Sequence, residues 1–252
     1  MRIAGSVILV TGASRGIGRA TAELLAERGA TVVLTGRDEP ALAALAGRLG
    51  GSYLAIDLTS AGSADRLVEH TLERHGRLDG LVANAGAGQV GPFAEVPAEA
   101  IGRLVALNLA APMLLARAAI GAMTAGPAMD RAIVFVGSIA GAVGVPGESV
   151  YSACKAGLET FAEVLAEELA EQRIAVSTVL PAVVDTDFLR RRAVPYDRRF
   201  PRPMPPERVA RTVLTALADG RRRRFVPRWL VVPAWLSAVA PGLYRRLARR
   251  FG

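Results

Sequence analysis

The chain has 252 residues, 51% hydrophobic and 21% charged, with a formal net charge of +8 and one cysteine. That balance suits one α/β domain with a sizeable core and excludes a disordered chain; a lone Cys154 excludes an internal disulfide, and without a Cys/His cluster of zinc spacing no metal site and a reducing cytoplasm are expected. The charge is uneven: residues 1–185 hold 14 basic and 19 acidic side chains, net −5, whereas residues 186–252 hold 17 and 4, net +13, so any membrane or polyanion argument belongs to the last quarter.

Arg2 and the apolar run from Ile3 to Val10 look like the start of a signal peptide, but the run leads directly into a glycine motif that cleavage would ruin, so no export is expected. Ser6-Val7-Ile8-Leu9-Val10 is β-branched and almost wholly apolar, the pattern of a strand covered on both faces in a parallel sheet. Thr11-Gly12-Ala13-Ser14-Arg15-Gly16-Ile17-Gly18 follows at once, then a helix from Arg19 to a glycine stop at Gly29. Strand, glycine turn and helix in that order make a phosphate cradle: the glycines let backbone approach a pyrophosphate, and the helix N-terminus offers free N–H groups and positive dipole.

The second strand, Thr31 to Thr35, ends in Gly36-Arg37-Asp38. At this distance from the glycines an acidic side chain would hold an adenosine ribose hydroxyl and an arginine would accommodate a 2′-phosphate. Arg37 together with Arg15 favours NADP(H) over NAD(H), and the adjacent Asp38 argues the other way. A helix from Pro40 to Leu49 leads to a third strand, Ser52 to Ile56, followed by Asp57-Leu58. The next helix, Ser63 to His75, carries both histidines, His70 and His75, among Arg66, Glu69, Glu73 and Arg74, which predicts a solvated face.

The fourth strand, Asp79 to Ala83, runs into Asn84-Ala85-Gly86, and a long helix from Ala98 to Met123 carries Asn108; these are the only two asparagines. Pro112 has no N–H to bond the Asn108 carbonyl four residues back, so a kink and a free acceptor for water are expected there. A fifth strand, Ile133 to Val136, ends at Gly137-Ser138, and thirteen residues on Tyr151 opens a helix reaching Gln172. Lys155 is the only lysine among 31 Lys and Arg. An ammonium is a compact point charge that fits beneath a phenol, unlike the wide guanidinium fork. One helical turn apart, Tyr151 and Lys155 share a face, and the cation favours phenolate, drawing the tyrosine pKa from about 10 toward working pH as a general acid/base requires. Leu158, Phe161, Leu165 and Leu169 form an apolar stripe for core or subunit contact, and Cys154 reads as a small helix residue.

A sixth strand, Ile174 to Leu180, leads to Pro181-Ala182-Val183-Val184-Asp185-Thr186. The alternation predicts an α/β Rossmann-type fold: a doubly wound parallel sheet of about seven strands with helices on both faces. Five prolines and six arginines in residues 187–206 predict no regular element. A helix from Pro206 to Ala218 and a strand at Phe225-Val226-Pro227 complete a catalytic domain over 1–227, leaving an apolar and basic tail over 228–252. Fifteen uncharged residues from Trp229 to Leu243, broken by two prolines, fall short of the about 20 needed to span a bilayer. Both tryptophans lie there beside arginines, as in a segment resting on a membrane surface; the competing reading is a tail over the substrate cleft or a neighbouring subunit.

TGASRGIG at 11–18, Asp57, NAG at 84–86, Asn108, Ser138, YSACK at 151–155 and PAVVDT at 181–186 stand in the order and spacing of the short-chain dehydrogenase/reductase family, which the chain resembles over about residues 3–190. Ala182 departs from it, standing where the family has glycine. The resemblance implies a catalytic set of Asn108, Ser138, Tyr151 and Lys155. It implies a cofactor site of Gly12, Ser14, Arg15, Gly16, Ile17, Gly18, Arg37, Asp57, Leu58, Asn84, Ala85, Gly86, Tyr151, Lys155, Pro181, Val184 and Thr186. In this reading Ser138 holds the carbonyl, Tyr151 supplies the proton, Lys155 tunes Tyr151 and holds the nicotinamide ribose, and Asn108 anchors a water. Asp57 contacts the adenine, Asn84 the ribose region and Thr186 the nicotinamide amide or phosphate. Residues 187–220 cover the substrate, with Phe188, Leu189, Tyr196 and Phe200 as lining candidates.

The function expected is NADPH-dependent reduction of a ketone or aldehyde, a lipophilic one being favoured by the apolar tail. Alcohol oxidation, C=N reduction and a catalytically silent dinucleotide-binding scaffold are the alternatives. A homo-oligomer, dimer or tetramer, is expected, and for the tail a peripheral membrane contact stands beside packing over the substrate cleft or a neighbouring subunit. No recognition motif for nucleic acid accompanies the charge.

Overall fold

Every strand pairing in the sheet is parallel, and the strand order is β3-β2-β1-β4-β5-β6-β7. The strands are β1 Val7–Thr11, β2 Thr31–Gly36, β3 Ser52–Ala55, β4 Gly80–Ala83, β5 Arg131–Val136, β6 Ile174–Pro181 and β7 Arg223–Val226. This computed structural model describes residues 1–125, 129–190, 196 and 201–251. The helices are α1 Gly16–Glu27, α2 Glu39–Leu49, α3 Ser63–His75, α4 Ala98–Val105, α5 Ala111–Ala125, α6 Ile139–Val143, α7 Ser149–Glu168, α8 Asp187–Arg190, α9 Pro206–Asp219, α10 Val231–Val239 and α11 Pro241–Phe251.

The strands alternate between two cores. Ile8, Val10, Val32, Leu34, Val134 and Val136 face one layer, with Leu25, Leu42 and Val213 from α1, α2 and α9. Val7, Leu9, Val33, Ile133 and Phe135 face the other, with Leu67, Leu115, Leu158 and Leu165 from α3, α5 and α7. Strands sandwiched in this way are apolar on both faces, which explains the continuous hydrophobic runs. The chain reverses its winding between β1 and β4, and at that switch point a crevice opens at the strand C-terminal ends.

Several expectations are corrected. The long helix forms, but the strain of Pro112 is met by a turn of π-helix at Ala106–Ala110, inserted between α4 and α5, in place of a simple kink. The histidines are half-buried: His75 Nε2 lies 2.8 Å from Ser52 Oγ, and His70 Nε2 is buried. Burial first, and the Arg74 charge next, push both imidazoles below their ordinary pKa. Residues 187–190 form the short helix α8, where no regular element was expected. β7 starts two residues earlier than the sequence implies, and the tail is helical in α10 and α11.

Candidate active site

The loop between β1 and α1 is shaped by close backbone approaches. Gly12 has φ +64°, and a Cβ there would lie 2.9 Å from Asn84 Nδ2; at Gly18 a Cβ would come within 2.2 Å of the Gly12 carbonyl oxygen. Only glycine permits both the left-handed turn and the contact of helix with loop. α1 begins without a side-chain cap and without an acidic residue in its first turn. Its N–H groups and dipole therefore suit an anion, and the cradle fits the pyrophosphate of a dinucleotide.

Thr11, at the end of β1, locks the loop to β4. Its Oγ1 accepts from the backbone N–H groups of Asn84 and Ala85, both at 2.9 Å, while Asn84 Nδ2 donates to the Thr11 carbonyl at 2.9 Å. The Asn84 amide thus braces the glycine loop. Thr11 opens the glycine motif in the sequence, but its bracing role is not legible there, because it rests on the pairing of β1 with β4, some seventy residues away.

Asn108, fully buried in the π turn, holds the next segment. Its Nδ2 donates to the carbonyls of Ala87 and Leu104, each at 2.9 Å, and its Oδ1 accepts from the Ala87 N–H at 3.2 Å. The Asn84-Ala85-Gly86 turn is thereby pinned beside α7. A Cβ on Gly86 would lie 2.8 Å from Asn108 Oδ1 and 3.8 Å from Lys155 Nζ, so these residues converge on one point.

Tyr151 and Lys155 both fall on the buried face of α7. Lys155 Nζ is 5.7 Å from the Tyr151 ring centroid and donates to the Val136 carbonyl at 2.9 Å, anchoring α7 to the end of β5. Burial pushes its ammonium down from 10.5 to about 8. Two residues beyond Val136, the Ser138 hydroxyl caps α6 by accepting from the Ala140 N–H at 3.1 Å, which leaves its own proton to donate. Cys154, between the pair, points away and packs near the Leu104 carbonyl; burial pushes its thiol up, as befits an inert core residue.

Pro181 ends β6, and the buried Val184 and Thr186 follow it, Val184 bridging to Met204. A Cβ on Gly16 would touch Thr186 Cγ2 at 3.0 Å, so this strap meets the glycine loop. Arg15 pairs with Asp187 at 3.5 Å. Phe188 stacks obliquely on Tyr151. Leu189 is half-buried, the Tyr196 hydroxyl donates to the Pro201 carbonyl at 2.8 Å, and Phe200 lies outside the described residues.

Arg37, Asp57 and Leu58 gather at the far end of the crevice, beyond β2 and β3. Asp57 accepts from the Thr59 N–H and hydroxyl, and these bonds with the nearby Arg37 charge hold its carboxyl below the ordinary range. Arg37 is exposed. Asp38, which argued for NAD(H), instead caps α2 by accepting from the Ala41 N–H at 3.2 Å.

A pyrophosphate cradle that runs at its inner end into a tyrosine with a lysine one turn below it is the arrangement of a nicotinamide-dinucleotide oxidoreductase. The family described as short chain dehydrogenase matches residues 6–195. The chain is 36% identical over 192 residues to the 3-oxoacyl-[acyl-carrier-protein] reductase FabG of Escherichia coli (strain K12), covering 75% of this chain and 78% of that protein. It is 39% identical over 188 residues to the human 3-oxoacyl-[acyl-carrier-protein] reductase, covering 73% and 78%. Among solved structures, a 3-ketoacyl-(acyl-carrier-protein) reductase from Brucella melitensis complexed with NADH superposes with a TM-score of 0.82 at 26% identity, over 89% of this chain and 97% of that one. A dehydrogenase/reductase from Sinorhizobium meliloti 1021 gives 0.78 at 30% identity, over 89% and 95%. The protein belongs to the short-chain dehydrogenase/reductase family and is an oxidoreductase that uses a nicotinamide dinucleotide.

Proposed function

We propose that the protein reduces a lipophilic ketone or aldehyde to an alcohol with NADPH, residues 1–227 forming the catalytic unit. The observation that carries the reading is the buried Lys155 beneath Tyr151, one turn apart on the face of α7 that meets the sheet. When bound, the cofactor supplies hydride to the carbonyl carbon. Ser138, its oxygen already engaged by the Ala140 N–H, donates to the carbonyl oxygen. Tyr151 gives that oxygen its proton as the new C–H bond forms, and the Lys155 ammonium stabilises the phenolate left behind. Asn108 holds the π turn whose backbone carbonyl, without an N–H from Pro112, anchors the water that returns a proton through Lys155.

NADPH is favoured over NADH because Arg37 is exposed where a 2′-phosphate would sit, while the adjacent carboxylate, Asp38, is engaged as a helix cap. A ketone is favoured by the names of the relatives, which are reductases of a 3-oxoacyl or 3-ketoacyl group. Phe188 against Tyr151 argues for an apolar substrate. Exposed Phe93, Val105 and Leu114, on and beside the α4–α5 helices, support a homo-oligomer.

The test is binding of NADPH and NADH to purified protein, then oxidation of the preferred one with ketones and aldehydes graded in size and apolarity. Tight NADPH binding with turnover on the larger apolar members is expected, and Tyr151→Phe should keep binding and lose turnover. Binding without turnover on any carbonyl would move the reading to a C=N substrate or a silent scaffold.

A further inference from the structure

The C-terminal helices carry a surface that the chemistry above does not use. α10 buries Ala234 and follows the buried Leu230, but its other side is an unbroken apolar stripe of Val231, Val232, Trp235 and Val239, with Trp235 62% and Val239 63% exposed. α11 packs against α10 and adds exposed Leu243 and Leu247, one turn apart. An apolar patch of this extent on a water-soluble surface is a contact site.

The charge around it selects the partner. Arg221 to Arg224 face carboxylates of Asp219, Glu159 and Glu167, but from Phe225 onward the sequence holds five arginines and no acidic residue. Arg245 and Arg246 are exposed beside Leu243 and Leu247. A two-fold contact between copies would set this cationic surface against itself. An anionic bilayer instead accepts the apolar stripe among its acyl chains and the guanidinium groups among its phosphates.

We propose that α10 and α11 form a monotopic docking surface for anionic membranes. α10 lies against α6, which Ser138 caps, so the docking helix itself, rather than its exposed stripe, adjoins the wall of the candidate active site. A docked enzyme then holds that wall one helix away from the bilayer, which suits a lipophilic substrate. Only this last step rests on the proposed carbonyl reduction; docking itself is read without turnover.

The full-length protein is sedimented with vesicles of phosphatidylcholine containing about a third phosphatidylglycerol, and with vesicles of phosphatidylcholine alone. Retention on the anionic vesicles is expected, with a blue shift of tryptophan emission and loss of binding in about 0.5 M salt. Trp235→Glu/Val239→Glu should abolish retention while NADPH binding persists. Arg245→Gln/Arg246→Gln, on the exposed surface, should weaken it roughly twenty-five-fold, about five-fold for each charge removed. Equal retention on both vesicle types would overturn the anionic selectivity. No retention would overturn docking, as would an oligomer that dissociates in Trp235→Glu/Val239→Glu, which would make the patch a contact between copies.

Discussion

The Phe188 ring stands 5.7 Å from the Tyr151 ring, tilted by 48°, and so packs over the phenol. Its far edge meets Gly88, where a Cβ would lie 2.7 Å from Phe188 Cζ. The ring is wedged between the candidate acid and a glycine that leaves room for it. Phe188→Ala should lower kcat/KM for large apolar ketones about ten-fold relative to small ones, the scale of losing an aromatic contact. Gly88→Ala should displace the ring and shift preference in the same direction. Steady-state kinetics over a graded ketone panel is the check, and an unchanged profile in both variants would remove Phe188 from the pocket.

Lys155 is a buried cation whose pKa, about 8, lies below its ordinary 10.5. Between those values the unfolded chain holds a proton that the folded chain has released, so stability rises with pH across the window. The penalty is fully present below about 8 and amounts to on the order of 3 kcal/mol. Lys155→Met should therefore be more stable than the parent at pH 7, converge with it as pH climbs toward 10.5, and lose about a hundred-fold or more in kcat. Urea midpoints of both proteins at the two ends of the window decide it; parallel pH profiles would contradict the burial argument.

The main layout was readable because it rests on local signals. Val7–Val10 and Thr31–Leu34 are apolar on both faces, and glycines mark the cradle between them. What escaped reading depends on contacts distant in sequence or on elements too short to show a period. α6 has five residues with a glycine among them, so no apolar stripe announces it. Thr11 gains its bonds only when β4 pairs beside β1. His75 is drawn in by Ser52 on β3, which the charged neighbours along α3 conceal. Asp38 carries two signals at once: an aspartate two residues before Pro40 and three before the donor Ala41 caps a helix, and a ribose-binding reading competes with it.

Asn108 makes three hydrogen bonds from a fully buried amide, two of them to Ala87. Asn108→Leu would leave the Ala87 N–H and two carbonyls without partners. A loss of about 2–4 kcal/mol is expected, lowering the melting temperature by roughly 5–15 °C in a chain of this size. Asn108→Asp keeps the acceptor for Ala87 N–H but sets a carboxylate oxygen against the Ala87 and Leu104 carbonyls, so it should not rescue. Thermal unfolding with NADPH binding separates this from a purely chemical effect, and a variant as stable as the parent would show the pinning to be dispensable.

Arg37 and Asp38 are neighbours with opposite meanings for the cofactor, and they stand in different surroundings. Arg37 is exposed beyond β2, near Asp57, whereas the Asp38 carboxylate is turned into the first turn of α2. Removing a guanidinium that pairs with a phosphate loses a charge-assisted contact, so Arg37→Ala should lower kcat/KM for NADPH about ten- to a hundred-fold and leave NADH nearly unchanged. Asp38→Ala should do the reverse of what a ribose-binding acid would: cofactor preference stays as it was, and stability falls by about 1 kcal/mol from loss of the cap. Kinetics with both cofactors and a denaturant melt of each variant are sufficient. If Asp38→Ala instead raised NADPH preference several-fold, the carboxylate would be acting on the ribose, and the cap would not be its principal role.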